Sequence, residues 1–172
     1  YHYAPPGVIC LENTHNRCGG RIVAPEYFAE VAAIAAEHGL PIHLDGARLF
    51  NAAVAAARPI TDWTRYVSSV QLCLSKGLSA PVGSLICGSV EFVRDARRMR
   101  KILGGGMRQA GVIAAPGIIA LTEMVSRLAD DHRKSFIGDF DEYDQDLETL
   151  LNWIVTPMLA PGERPVALAH SM

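Results

Sequence analysis

Residues 41–48 read Pro-Ile-His-Leu-Asp-Gly-Ala-Arg, and residues 67–77 read Val-Ser-Ser-Val-Gln-Leu-Cys-Leu-Ser-Lys-Gly. Each is a short apolar run, suited to a buried strand, that stops on small and charged residues. Pro41 to Asp45 is one predicted strand and Val67 to Leu74 another, and between them the alanine-rich stretch Gly46 to Ala57 predicts a helix. Strand, helix and strand in that order define an α/β fold: a mostly parallel sheet flanked by helices. In such sheets ligands gather beyond the carboxyl ends of the strands. Asp45 and the pair Ser75 and Lys76 both fall there, so an acid and an amine from separate strands share one rim.

The pattern extends in both directions. Upstream, Gly7 to Glu12 is strand-like, Asn13 to Pro25 is a polar loop, and Glu26 to His38 is a helix opened by Pro25 and stopped by Gly39. Downstream, Gly83 to Cys87 predicts a short strand. Ser89 then caps a helix carrying Arg97, Arg98, Arg100 and Lys101, and Gly104, Gly105 and Gly106 end it. Ala110 to His132 predicts a long helix bent near Pro116, because proline removes a backbone donor. Past Ser135 the character changes. An acidic run from Asp139 to Glu148 predicts one amphipathic helix, roughly Tyr143 to Ile154, followed by a Pro-rich tail. The expected division is therefore 1–134 and 135–172.

Composition bounds the function classes. Of 172 residues 49% are hydrophobic, and 18 acidic against 16 basic side chains leave a formal charge of −2. A domain of this length buries about two thirds of its unfolded surface without a metal or disulfide staple. Near-neutral charge with no long basic run argues against nucleic acid as a partner. The longest apolar stretch, Ala110 to Leu121, contains Gly111, Pro116 and Gly117 and falls short of the roughly 18 residues of a membrane span, so no membrane partner is expected. The cysteines Cys10, Cys18, Cys73 and Cys87 include no C-x-x-C pair, and no metal is expected. Three of them sit in apolar runs, which predicts buried, reduced thiols and a cytoplasmic location. The chain starts on Tyr1 and enters almost at once on Val8-Ile9-Cys10-Leu11, so it is expected to be incomplete at its N-terminus.

The two strand ends carry complementary chemistry. Alone, Asp45 followed by a turn that brings Arg48 back toward it would be an ordinary helix start with a salt-bridged arginine. Alone, Lys76 would be a solvated strand end; following a buried strand, it is partly desolvated, which frees its neutral amine for imine formation. Together they match what pyridoxal phosphate requires: a lysine for the Schiff base, an acid to keep the pyridine nitrogen protonated, and phosphate donors. Gly104-Gly105-Gly106-Met107-Arg108 offers backbone amides and a guanidinium for the phosphate. Rival motifs fail. Gln109 stands where a dinucleotide fingerprint wants its third glycine, no G-K-[ST] marks a P-loop, and no G-x-S-x-G marks a serine hydrolase. His43, two residues before Asp45, faces the same side of its strand, either supporting Asp45 or sitting as a satisfied core histidine.

The segments Leu11 to Asn16, Leu44 to Ala52, Cys73 to Leu78, Pro81 to Ser84 and Gly104 to Gln109, in that order, resemble those of the threonine aldolases over about residues 2–134. The resemblance implies the large domain of a fold type I pyridoxal-phosphate enzyme. It implies that Lys76 forms the Schiff base, that Asp45 pairs with the pyridine nitrogen, and that Arg48, near the cofactor ring, binds the substrate carboxylate. Arg108 matches an arginine lent to the cofactor phosphate of a neighbouring subunit and Lys101 a lysine close to the same shared site, which implies a homo-oligomer, dimer or tetramer. His2 resembles a histidine suited to take the proton of the substrate β-hydroxyl. The implied activity is carbon–carbon lysis of threonine or allo-threonine to glycine and acetaldehyde.

Departures from the pattern leave alternatives open. The family's phosphate-gripping glycine loop and the histidine that stacks on the cofactor ring belong upstream of Tyr1, and Ser135 to Met172 does not resemble its C-terminal domain. The same Lys76 and Asp45 suit a β-eliminating lyase or an aminotransferase. A third reading is an inactive fragment that serves as an oligomerising module.

Overall fold

A computed structural model describes residues 4–135. The chain divides into two units, Tyr1–Asp130 and Asp131–Met172, and the fold described is that of the first. His2 and the expected acidic helix and Pro-rich tail lie outside the described residues.

Four strands, β1 (Ile9–Glu12), β2 (Ile42–Asp45), β3 (Ser69–Cys73) and β4 (Ser84–Gly88), form one sheet in sequence order. The first three run parallel, as expected, and β4 pairs antiparallel with β3. That reversal follows from chain length, because the loop from Leu74 to Gly83 is shorter than the roughly dozen residues a parallel crossover needs.

Among the described residues six α-helices accompany the sheet: α1 (Pro25–Glu37), α2 (Leu49–Ala56), α3 (Thr61–Thr64), α4 (Val90–Ile102), α5 (Gly111–Ile119) and α6 (Val125–Ser135). Gly39, at φ 62°, closes α1 by donating its N–H to Ala36, while Leu40 N–H reaches Ala35. Ser89 caps α4 by accepting the Phe92 N–H at 3.2 Å, as its position predicts. Two expectations need correcting. Helix α2 starts at Leu49 rather than Gly46, because the Asp45 carboxylate captures the Ala47 N–H and turns the chain first. Helix α3 is absent from the sequence reading, its four residues being too few to show a period.

Alternation along the strands puts Leu44, Val70 and Leu72 into a core with Phe28, Leu49 and Trp63. Fully burying one such side chain contributes about 1.5–3 kcal/mol. The alternate positions, Cys10, His43, Asp45, Gln71 and Cys73, occupy the opposite face, and β4 is exposed along its whole length. The thiols are therefore not buried as expected. Cys10, Cys18 and Cys87 are exposed and Cys73 is half-buried, because an apolar run predicts a strand but not what covers each of its faces.

At the end of β1, fully buried Asn13 clamps the returning loop. Its amide donates to the Val23 carbonyl at 3.2 Å and its oxygen accepts the Val23 N–H at 3.1 Å. The Trp63 indole donates to the same Val23 carbonyl at 2.7 Å. Asn13→Ala strands the Val23 N–H and should cost about 1–3 kcal/mol, read as a lower denaturation midpoint. A midpoint equal to that of the native chain would mean the loop holds without this clamp.

The long helix expected from Ala110 runs as α5, a π turn over Ala120–Met124 and then α6. Pro116 lies inside α5 and does not end it. Gly111–Lys134 is thus one 24-residue helix with mean hydropathy 1.5 in its most apolar window, long and apolar enough by length and composition to cross a membrane. The expected exclusion on grounds of length fails, since glycine and proline interrupt the sequence pattern but not the helix. Within the fold, this helix packs Ala120 and Leu128 against Leu74, Leu78 and Ala80 of the loop after β3.

Candidate active site

The rim is built by register. Glu12, Asp45 and Gln71 are aligned across β1, β2 and β3, so the three parallel strands end together. Asp45 is exposed, and one of its carboxylate oxygens accepts the Ala47 N–H at 3.0 Å. Its backbone is pinned on both sides: Asn13 N–H donates to the Asp45 carbonyl at 3.0 Å, and Gly46 N–H donates to the Gln71 carbonyl at 2.8 Å. A Cβ at position 46 would stand 2.9 Å from that Gln71 oxygen, so only glycine allows this approach. The carboxylate is therefore held by local backbone, and its position does not depend on a partner side chain.

Lys76 stands one strand away in a braced turn. Ser79 N–H donates to the Lys76 carbonyl at 2.8 Å, Ala80 N–H to the Leu74 carbonyl at 3.0 Å, and Leu74 N–H to the Gly83 carbonyl at 2.9 Å. Leu74, Leu78 and Ala80 anchor the turn in their own small core. Lys76 itself is half-buried, the partial desolvation expected from its place after β3. Its charge is felt next door. Burial pushes the Cys73 thiol up, but hydrogen bonds with Ser75 and Ser84 and the nearby Lys76 charge outweigh it, leaving the thiol below its ordinary value.

Arg48 is half-buried at the N-terminal boundary of α2, directly after the Asp45 turn. The salt bridge between Arg48 and Asp45 that the motif alone would suggest is not among those of the described residues. The Ala47 N–H satisfies Asp45 locally, so the arginine does not need to fold back onto it. His43 is not bonded to Asp45 either; its Nδ1 lies 2.8 Å from the Ser69 hydroxyl on β3. Lys101 and Arg108 follow β4 in the chain, and both are exposed. The Lys101 stem folds over the glycine turn, its Cδ 2.7 Å and its Nζ 3.3 Å from where a Gly106 Cβ would stand.

Of the residues singled out in the sequence, the structure thus gathers Asp45, Arg48 and Lys76 at adjacent strand ends. The sequence reading missed Asn51 and Gly77; the Asn51 carboxamide occupies the space where a side chain at position 77, next to Lys76, would stand. Both stand inside the motifs quoted above, and Asn51 follows Arg48 by one helical turn.

An α/β domain with a mixed sheet flanked by helices is the architecture of solved threonine aldolases. The chain superposes on that of Leishmania major with a TM-score of 0.65 at 21% identity, covering 79% of this chain and 40% of that one. Residues 1–139 match the family model described as beta-eliminating lyase, and the chain belongs to that family. It is 50% identical over 133 residues to low-specificity L-threonine aldolase 1 of Arabidopsis thaliana, covering 77% of this chain and 37% of that protein. It is 47% identical over 131 residues to the low specificity L-threonine aldolase of Escherichia coli K12, covering 76% of this chain and 38% of that protein. The chain thus spans well under half the length of the curated relatives it matches.

Proposed function

We propose that the chain is the central part of a pyridoxal-phosphate-dependent carbon–carbon lyase that cleaves threonine or allo-threonine to glycine and acetaldehyde. The observation that carries this reading is the pairing of half-buried Lys76, in its braced turn, with the anchored carboxylate of Asp45 one strand away. The identities to L-threonine aldolases across most of the chain support the choice of substrate.

The donor set fits the cofactor. Lys76 offers an amine in a partly desolvated turn, and Asp45 offers an exposed carboxylate whose orientation the Ala47 N–H has already set. When bound, pyridoxal phosphate supplies an electron sink for the bond that breaks. Lys76 would hold it through Nζ. Asp45 keeps a proton on the pyridine nitrogen. Arg48 clamps the substrate carboxylate, and that clamp decides which bond at Cα is aligned for cleavage, so it acts on turnover as well as binding. His2 accepts the β-hydroxyl proton. Arg108 and Lys101, both exposed, serve the phosphate site of a neighbouring subunit in a cytoplasmic homo-oligomer.

Product analysis tests the reaction. Incubated with pyridoxal phosphate and threonine, the protein should release glycine and acetaldehyde in equal amounts. Ammonia and a keto acid in their place would assign the rim to β-elimination.

A further inference from the structure

Gly77 follows Lys76 directly and is half-buried. A side chain there has almost no room, since a Cβ at position 77 would lie 3.1 Å from the Asn51 carboxamide oxygen, 3.2 Å from its nitrogen and 2.8 Å from Leu128 Cδ2. Both polar atoms of Asn51 stand at nearly the same range, so the whole end of the carboxamide walls the backbone next to Lys76. Asn51 sits in the first turn of α2, the helix whose N-terminal boundary residue is Arg48. A single side chain therefore links the element that carries Arg48 to the turn that carries Lys76.

We propose that Asn51 is a positioning residue: occupying the space beside Gly77, it holds the Lys76 turn in register with α2 so that the Lys76 amine meets the cofactor aldehyde on the Arg48 side of the rim. This rests on the function proposed above. Buried Leu78 and Ala80 anchor the turn in the same small core as Leu128, and the Ser79 N–H closes it onto the Lys76 carbonyl. Asn51 and Leu128 supply the remaining walls. Withdrawing the carboxamide opens the wall on the α2 side alone, and the turn can then relax toward the helix. Alignment of reacting groups is sensitive at this scale, a displacement of about 1 Å costing up to about 100-fold in rate.

Reductive labelling of the full chain with pyridoxal phosphate and cyanoborohydride tests this. Peptide mass spectrometry reads the rate at each lysine, with Lys134 as the internal reference. In the native chain Lys76 should label fastest; equal labelling of all three lysines would overturn the cofactor reading itself, before any variant is made. Asn51→Ala should then slow Lys76 by about tenfold, leaving the rate at Lys134 unchanged. Asn51→Ser, which keeps a polar group but withdraws it from Gly77, takes its place if the alanine variant fails to fold. Gly77→Ala should also slow Lys76, and by less when Asn51 is already shortened, because one of the two walls is gone. A native Lys76 rate in the Asn51 variant overturns the proposal, as does a Gly77→Ala effect of equal size in both backgrounds.

Discussion

Lys76→Ala should remain folded and lose all lysine-linked visible absorbance with pyridoxal phosphate. The fold is expected to survive because the bonds that close the turn are backbone bonds, from Ser79 N–H to the Lys76 carbonyl and from Ala80 N–H to the Leu74 carbonyl. The apolar anchors of the turn are Leu74, Leu78 and Ala80, none of which the substitution touches. What disappears is the amine, and with it the covalent tether and the group that returns the cofactor to its resting form. Turnover should fall by about 10³-fold or more, the scale seen when a nucleophilic residue is removed from a catalytic unit. Borohydride reduction followed by peptide mapping checks the assignment directly, because the remaining lysines, Lys101 and Lys134, give distinct peptides. A variant that still forms a reducible adduct with native absorbance at either of them would move the Schiff-base role away from Lys76.

The rim was legible in the sequence because its signals are local. Runs such as Ile42-His43-Leu44-Asp45 and Ser69 to Cys73 end on small or charged residues, and a parallel sheet sends consecutive strand ends to one side. Asp45 and Lys76 could therefore be placed together without coordinates. Features set by contacts distant in sequence were not legible. The direction of β4 depends on how the Leu74 to Gly83 loop closes, and the exposure of Cys10 and Cys87 depends on what covers each face of the sheet. The start of α2 was misread because the Asp45 side chain competes with the helix for the Ala47 N–H, a competition that residue propensities do not express. The part played by Asn51 was hidden for a related reason. Its sequence neighbours identify it as a helical residue, and only the fold brings Gly77 against it.

Asp45→Asn separates charge from geometry at the same rim. Asparagine keeps the shape, and its carbonyl oxygen can accept the Ala47 N–H as the carboxylate does at 3.0 Å. The backbone locks on either side, from Asn13 N–H and Gly46 N–H, do not involve the side chain. The unfolding midpoint should therefore stay close to native, and Lys76 should still be trapped by borohydride. What is lost is the negative charge that keeps a proton on the pyridine nitrogen, and without that proton the ring accepts electrons poorly as the Cα–Cβ bond breaks. Removing one preorganised electrostatic contact of this kind typically costs about 10²–10³-fold in kcat, and that fall is expected here with little change in cofactor retention. Kinetics of glycine release, measured beside the trapping experiment, divides the outcomes. Native turnover would show that Asp45 only shapes the turn into α2, whereas lost turnover with intact trapping and an intact midpoint assigns the carboxylate charge to the chemical step.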